Sequence, residues 1–299
     1  MSMSSAADPV PAGASFAHPR ATWLCPDTGR LPAQGELMPA MARKRVVLLG
    51  ETHDVAEIHR WQLHVTTCLH LLRPQMAVGF EMFPLRIQPV LDAWVAGEMD
   101  TANFLERSEW AQVWGFDPEL YLPLFHFCRQ QRVKMLALNC HRPLVTRVGQ
   151  VGWDAIPVAE RDGVTPAAPA TEGYRDYLAA ITGRFSGSAR PEAMAPERFD
   201  RFVRAQQCWD RSFACRIADH LAEASDDPLV VGIIGRGHLE YGHGTPFQLR
   251  DLGMEDVAVL LPATDAAPEA GPLAGIADAL FRLDTPEPPQ SRRTPRAAS

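Results

Sequence analysis

Five apolar runs of strand length punctuate the middle of the chain: RVVLLGE (45–51), MAVGFEMF (76–83), VKMLALNC (133–140), PLVVGIIG (228–235) and DVAVLLPA (256–263). Each is nearly continuous in Val, Leu, Ile and Ala instead of alternating with polar residues. That is the pattern of strands buried on both faces of a parallel sheet. Helical periodicity separates them. Ile58, Trp61, Val65, Cys68, Leu69 and Leu72 recur at spacings of three and four, predicting a helix over 56–73. Asp54 is placed to cap it and Pro74 to close it. His59 and His70 on this helix are expected to face solvent. Further helices are predicted over 88–98, 118–132 and 196–224.

Alternating strands and helices specify an α/β fold, with a central, mainly parallel sheet flanked by helices on both faces. Residues 153–192 break the rhythm and read as a loop followed by a helical excursion between the third and fourth strands, placed to cover a site. Residues 1–40 and 264–299 are rich in Pro and Ala and are expected to be loosely ordered, leaving an α/β domain at 41–263. Within the second tail, GIADALFRL (275–283) reads as one short helix, and SRRTPRAAS at the end as a solvated basic tail.

Composition narrows the function classes. The formal net charge of the 299 residues is -7, so there is no global basic field for nucleic acid, which is not expected as a partner. No apolar run approaches the roughly 18 to 20 residues of a membrane span. The first 29 residues lack the basic start and apolar centre of a secretory signal, and no apolar run precedes Cys25 to make a lipid attachment site. As written, the chain is expected in the cytoplasm; an N-terminus extending further upstream would allow an envelope location. None of the six cysteines forms a C-x-x-C pair, so reduced, mostly buried thiols are expected in place of a thiolate zinc site.

The chemistry concentrates at strand ends. In an open parallel sheet, ligands sit beyond the carboxyl ends of the strands. The first strand ends in Glu51, Thr52, His53 and Asp54; the second in Glu81; the third in Asn139, Cys140, His141 and Arg142; the fourth in GRGHLEYGHGTP (235–246). Glu51 and His53 are two apart and point the same way in extended backbone. A carboxylate beside an imidazole binds a metal or works as an acid/base pair. Taken alone, the plainer account holds: Glu51 caps a neighbouring helix and His53 is a hydrogen-bonded core residue. Glu81 alters that balance, because a second carboxylate at the end of a second buried strand is costly to bury without a partner. In the fourth segment, His238, Tyr241 and His243 follow closely spaced glycines. His and Tyr are haem-iron ligands as well as proton carriers. Arg142 is able to hold a carboxylate, or to sit in a surface ion pair. Asp210 either faces the pocket or pairs at the surface, and the aromatic stretch from Trp94 through Trp110 and Trp114 to Tyr121 is a candidate wall.

Five motifs, in order, resemble the ChaN-like family of haem-binding uptake proteins, within the wider Tiki and erythromycin-esterase-like superfamily. They are VVLLGETHD with Gln62 downstream, GFEMF with Gln88 and Asp92 following, ALN at 137–139, QCWDRSFA at 207–214, and GRGHLEYGHGTP. The resemblance implies haem as cofactor, a role in haem or iron uptake, and a homodimer. It points to Tyr241 as the ligand of the haem iron, with His243 or His238 as partner and Arg142 beside a propionate. Superfamily hydrolases are implied to use the positions matched by Glu51, His53, Glu81 and His238. The alternative expectation is therefore a metal-dependent hydrolase, with Glu51, His53 and His238 as ligands of a divalent ion, or a binder of another small molecule.

Overall fold

The computed structural model describes residues 18–185, 194–264 and 273–284. In chain order the elements are β1 (Trp23–Leu24), α1 (Gln34–Ala42), β2 (Val46–Glu51), α2 (Ala56–Leu72), β3 (Met76–Pro84), α3 (Gln88–Ala96), α4 (Thr101–Arg107), α5 (Trp110–Val113), α6 (Leu122–Gln131) and β4 (Lys134–Asn139). There follow α7 (Arg142–Val151), α8 (Glu172–Phe185), the long α9 (Pro196–Glu223), β5 (Leu229–Gly235), α10 (Thr245–Asp251), β6 (Val257–Ala263) and β7 (Ala279–Arg282).

The strands form one sheet in the order β1-β7-β6-β2-β5-β3-β4. Every pairing is parallel except the edge pair of β1 with β7. The five apolar runs of the sequence are the strands β2, β3, β4, β5 and β6, adjacent in the sheet with β4 at its edge. Alternate residues feed two cores. Val47, Leu49, Val78, Phe80, Val231 and Ile233 pack on one face, towards α2, α3 and α6. Val46, Leu48, Ala77, Val230 and Ile234 pack on the other, towards α9 and α10. Both faces are covered, which is why the strands lack alternation. β5 lies between β2 and β3 in the sheet, with Glu51 in register with Gly235. That topology brings the carboxyl ends of β2, β5 and β3 together at one edge.

Three local expectations are corrected. The N-cap of α2 is Val55, with no side-chain cap, so Asp54 does not cap it. Ordered elements reach into both stretches expected to be loose: β1 and most of α1 lie before residue 41, and β7 lies after 263. β7 occupies the stretch read as a short helix, because its backbone pairs with both β6 and β1. The terminal SRRTPRAAS lies outside the described residues. Among the described residues, no helix is long and apolar enough to cross a membrane.

Leu48 and Leu49, adjacent on the central strand, are both fully buried in opposite cores. Leu48→Ala and Leu49→Ala are each expected to lower the unfolding free energy by about 2–5 kcal/mol. Urea denaturation followed by circular dichroism measures this; a loss under about 1 kcal/mol for either would contradict the two-core architecture.

Candidate functional site

Beyond the carboxyl ends of β2, β3, β4 and β5 lies a cavity of about 400 Å³. His53, Glu81 and His238 line it with Asn139 and Cys140; Trp114, Phe116, Trp209 and Phe213 wall it; Arg86, His141 and Arg142 also contribute.

Its chemistry consists of two acid–imidazole pairs with a carboxylate between them. In the first, His53 Nδ1 lies 2.6 Å from Glu51 Oε1. Glu51 is 1% exposed and receives two further donors, Tyr121 Oη at 2.8 Å and Gln62 Nε2 at 3.3 Å. His59 Nδ1 stands 3.7 Å from its other oxygen. Burial alone would raise the Glu51 pKa; hydrogen bonding to His53, the charge of His59 and the Tyr121 hydroxyl outweigh it and hold Glu51 below the usual carboxylate value. For His53 burial disfavours charge, but the hydrogen bond to Glu51 and the nearby Glu81 and Asp54 carboxylates prevail, and its pKa rises to about 9. His53 is therefore an imidazolium at neutral pH.

In the second pair, His238 Nδ1 lies 2.8 Å from Asp210 Oδ1. Asp210 is fully buried and also accepts from Tyr174 Oη at 2.5 Å and Thr245 Oγ1 at 3.1 Å. Burial again opposes charge on His238, and Asp210 overcomes it, raising the pKa. Each imidazole spends Nδ1 on its carboxylate, which leaves Nε2 for the cavity. Glu81 sits between the pairs. One oxygen accepts from the Gly235 backbone N–H, and the other lies 4.0 Å from His53 Nε2. Burial pushes the Glu81 pKa up, against the pull of His53 and His238.

Two glycines permit this closeness. A Cβ on Gly235 would stand 3.0 Å from the His53 ring and 3.3 Å from Glu81 Oε2. A Cβ on Gly244 would fall 2.4 Å from the His238 carbonyl and 2.7 Å from Asp210 Oδ1.

Of the residues singled out in the sequence, the cavity gathers His53, Glu81, His238 and Arg142, with Glu51 directly behind His53. Tyr241 and His243 do not line it. They form a separate ring cluster against α8: Tyr241 lies 5.7 Å from Tyr177 and 6.0 Å from His243, centroid to centroid. Trp94 is buried in the core and bonds the Phe125 carbonyl, so the aromatic wall comes from Trp114 and Phe116. His59 is 3% exposed, contrary to its expected solvent position. It bonds the His53 carbonyl at 3.1 Å and packs on Tyr121. Tyr121, expected as part of an aromatic wall, instead steadies Glu51 with its hydroxyl, and Tyr174, which steadies Asp210, is a site residue not singled out in the sequence. Among the described residues, no group of three or more His, Cys, Asp or Glu is arranged to hold a metal ion.

A family model described as haem-binding uptake, Tiki superfamily, ChaN, matches residues 37–249. The solved structure of ChaN of Campylobacter jejuni, described by cofacial haem binding, aligns with a TM-score of 0.67 at 20% identity, covering 91% of this chain and 98% of that one. That likeness is one of fold. An erythromycin esterase mutant, EreC, in its open conformation aligns at a TM-score of 0.46 and 13% identity, over 76% of this chain and 72% of that one. The curated protein RETICULATA-RELATED 5, chloroplastic, of Arabidopsis thaliana is 25% identical over 209 residues, which are 66% of this chain. The chain spans only 28% of that relative's length.

Nuclear magnetic resonance titration of the imidazoles tests the electrostatics. His53 is expected to stay protonated at pH 7 and to titrate near 9. Its stabilising contribution is full below the unfolded value of about 6.5 and is lost as pH rises through the folded value. Glu51→Gln should move the His53 titration downwards, and an unchanged midpoint would contradict the pairing. Gly235→Ala should broaden or shift the His53 ring signals.

Proposed function

This chain belongs to the haem-binding uptake family of the Tiki superfamily (ChaN), and we propose that it binds haem through the face that carries Tyr241 and serves haem or iron uptake. The observation that supports this placement is the conformation of Tyr241. It is half-buried and held at a φ of 57° in the turn after β5, a left-handed position that costs a non-glycine residue energy. Phenolate is a ferric haem ligand. His243 beside it has its pKa lowered by burial and by Arg250, which keeps the imidazole neutral and able to ligate or to accept a hydrogen bond. The donor set therefore fits ferric haem. Arg142 borders the cavity instead of this cluster, so no propionate is assigned to it. A homodimer that encloses haem between two Tyr241 faces belongs to the same proposal.

The expected outcome of titrating the apoprotein with hemin is a saturable Soret band. Tyr241→Phe should weaken affinity at least about tenfold, the equivalent of ~1.4 kcal/mol. An unaltered spectrum and affinity in Tyr241→Phe would overturn the assignment. Light scattering with and without hemin checks the dimer.

A second reading is favoured by a different observation, the twin acid–imidazole pairs in the cavity. They suit general acid–base hydrolysis of a small acyl substrate. His53, once neutral, takes a proton from water, and His238 delivers one to the leaving group. Because His53 is mostly protonated at pH 7, the rate is expected to climb with pH towards about 9. Hydrolysis of 4-nitrophenyl butyrate across pH 6–10 measures it. His53→Asn should cost at least about a hundredfold in kcat. Glu51→Gln should shift the rising limb to lower pH. A rate independent of both substitutions would discard this reading.

A further inference from the structure

We propose that the cavity takes a small ester carrying an anionic group, with Arg142 binding the anion and the acyl carbon lying between His53 and His238. The proposal rests on the hydrolytic reading above and names its substrate class.

Charge and position single out Arg142. Two arginines line the cavity. Arg86 is already engaged: both of its terminal nitrogens bond the Glu109 carboxylate, at 2.6 and 2.8 Å. Arg142 is exposed at the first turn of α7, and among the described residues it has no ion-pair or hydrogen-bond partner for its guanidinium. A guanidinium presents a planar fork matched to carboxylate or phosphate oxygens. An unpaired cation at the mouth of a cleft in a chain of net charge -7 is a local attractor for anions. Behind it the cavity offers apolar contact from Trp114, Phe116, Met82, Val113 and Phe213. At about 400 Å³ the space suits a compact molecule. A ligand anchored at the mouth by its charge and packed on the aromatic wall reaches the two imidazoles with its far end.

The reaction balances without another reagent. Neutral His53 removes a proton from water as the water oxygen bonds to the acyl carbon. The bond from that carbon to the leaving oxygen breaks, and the leaving alkoxide takes the proton of the His238 imidazolium. The products are a carboxylic acid and an alcohol. The acid's proton returns to the now neutral His238, and His53 gives its own to solvent.

Two matched pairs of probes separate the anion from the chemistry. The first is 4-nitrophenyl hydrogen succinate against 4-nitrophenyl butyrate, one charged and one neutral. The full chain is expected to show a KM about tenfold lower for the charged ester, as one charge-assisted contact provides. Arg142→Gln should bring the ratio of the two KM values close to one, and Arg142→Lys should restore part of it. An equal ratio before and after Arg142→Gln would overturn the assignment while leaving hydrolysis intact. The second pair is the uncleaved anilides, N-(4-nitrophenyl)succinamic acid and 4-nitrobutyranilide, measured by calorimetry. Preferential binding of the charged anilide, lost in Arg142→Gln, supports the anion contact whatever the turnover. If the charged anilide binds in this way but neither ester is cleaved, the hydrolytic reading and the ester class fall, and only the anion contact stands.

Discussion

The cost of burying a carboxylate organises this molecule. Glu51, Glu81 and Asp210 are each no more than 5% exposed, in an interior where an unpaired charge is prohibitive. Each is compensated within a hydrogen-bonded network. Glu51 takes an imidazole, a phenol and an amide; Asp210 takes an imidazole, a phenol and a hydroxyl; Glu81 takes a backbone N–H. The first two shells are alike in composition although they come from different parts of the chain. Both pull the pKa of a histidine upwards, and both leave the second ring nitrogen facing the cavity. Removing one partner strands a buried charge, so these networks bind the surrounding elements together as well as tuning the chemistry.

The sheet explains why the networks meet. β5 is inserted between β2 and β3, and all three run in one direction. Their carboxyl ends therefore share an edge, where backbone amides are not consumed by strand pairing. Gly235 ends β5 in register with Glu51, and its amide is free to serve Glu81. A side chain at Gly235 would occupy the space between the His53 ring and Glu81. The site is thus built from parallel-strand geometry plus one missing Cβ. Neither α9 nor α10 is required to place His53, whereas α9 supplies Asp210 and α10 supplies Thr245. One pair is anchored mainly on the sheet and its following helix, the other on helices that cover the opposite face.

Much of this was legible in the chain. Continuous apolar runs reveal doubly buried strands, and the polar residues closing four of those runs mark the rim. What the sequence hides is what three-dimensional packing decides. His59 lies one helical turn into α2, at a position where periodicity alone permits exposure; Tyr121 and the His53 carbonyl claim it for the interior. Asp210 sits next to Arg211 and reads equally as a surface pair, but Arg211 turns instead to Asp251 and Gln248. β1 and β7 are two and four residues long, too short for any periodic signal, and they exist only because they pair with each other and with β6. The GRGHLEYGHGTP segment misled in the opposite sense. Its closely spaced histidines and tyrosine suggest one cluster, yet the two short helical turns through Arg236–His238 and Glu240–Gly242 send His238 to the cavity and Tyr241 to α8.

That divergence places the proposed haem face and the proposed acid–base cavity on different side chains, so the two proposals do not compete for them. The two regions are still not independent. Tyr174 and Tyr177, three apart on α8, lie on neighbouring positions of one helical face. Tyr174 bonds Asp210, the acid behind His238, while Tyr177 bonds Glu240, next to Tyr241. Arg236 completes the connection by pairing with the other oxygen of Glu240. α8 is therefore a shared wall, held on one side by a carboxylate of the cavity and on the other by a carboxylate of the Tyr241 turn. Removing the Tyr174 hydroxyl would raise the energy of the buried Asp210 carboxylate and increase its hold on the His238 proton. The two regions are also joined elsewhere: the Tyr174 ring lies 6.0 Å from the His243 ring, and Thr245, next to Gly244, bonds Asp210. The cavity and the Tyr241 turn therefore share one hydrogen-bonded wall.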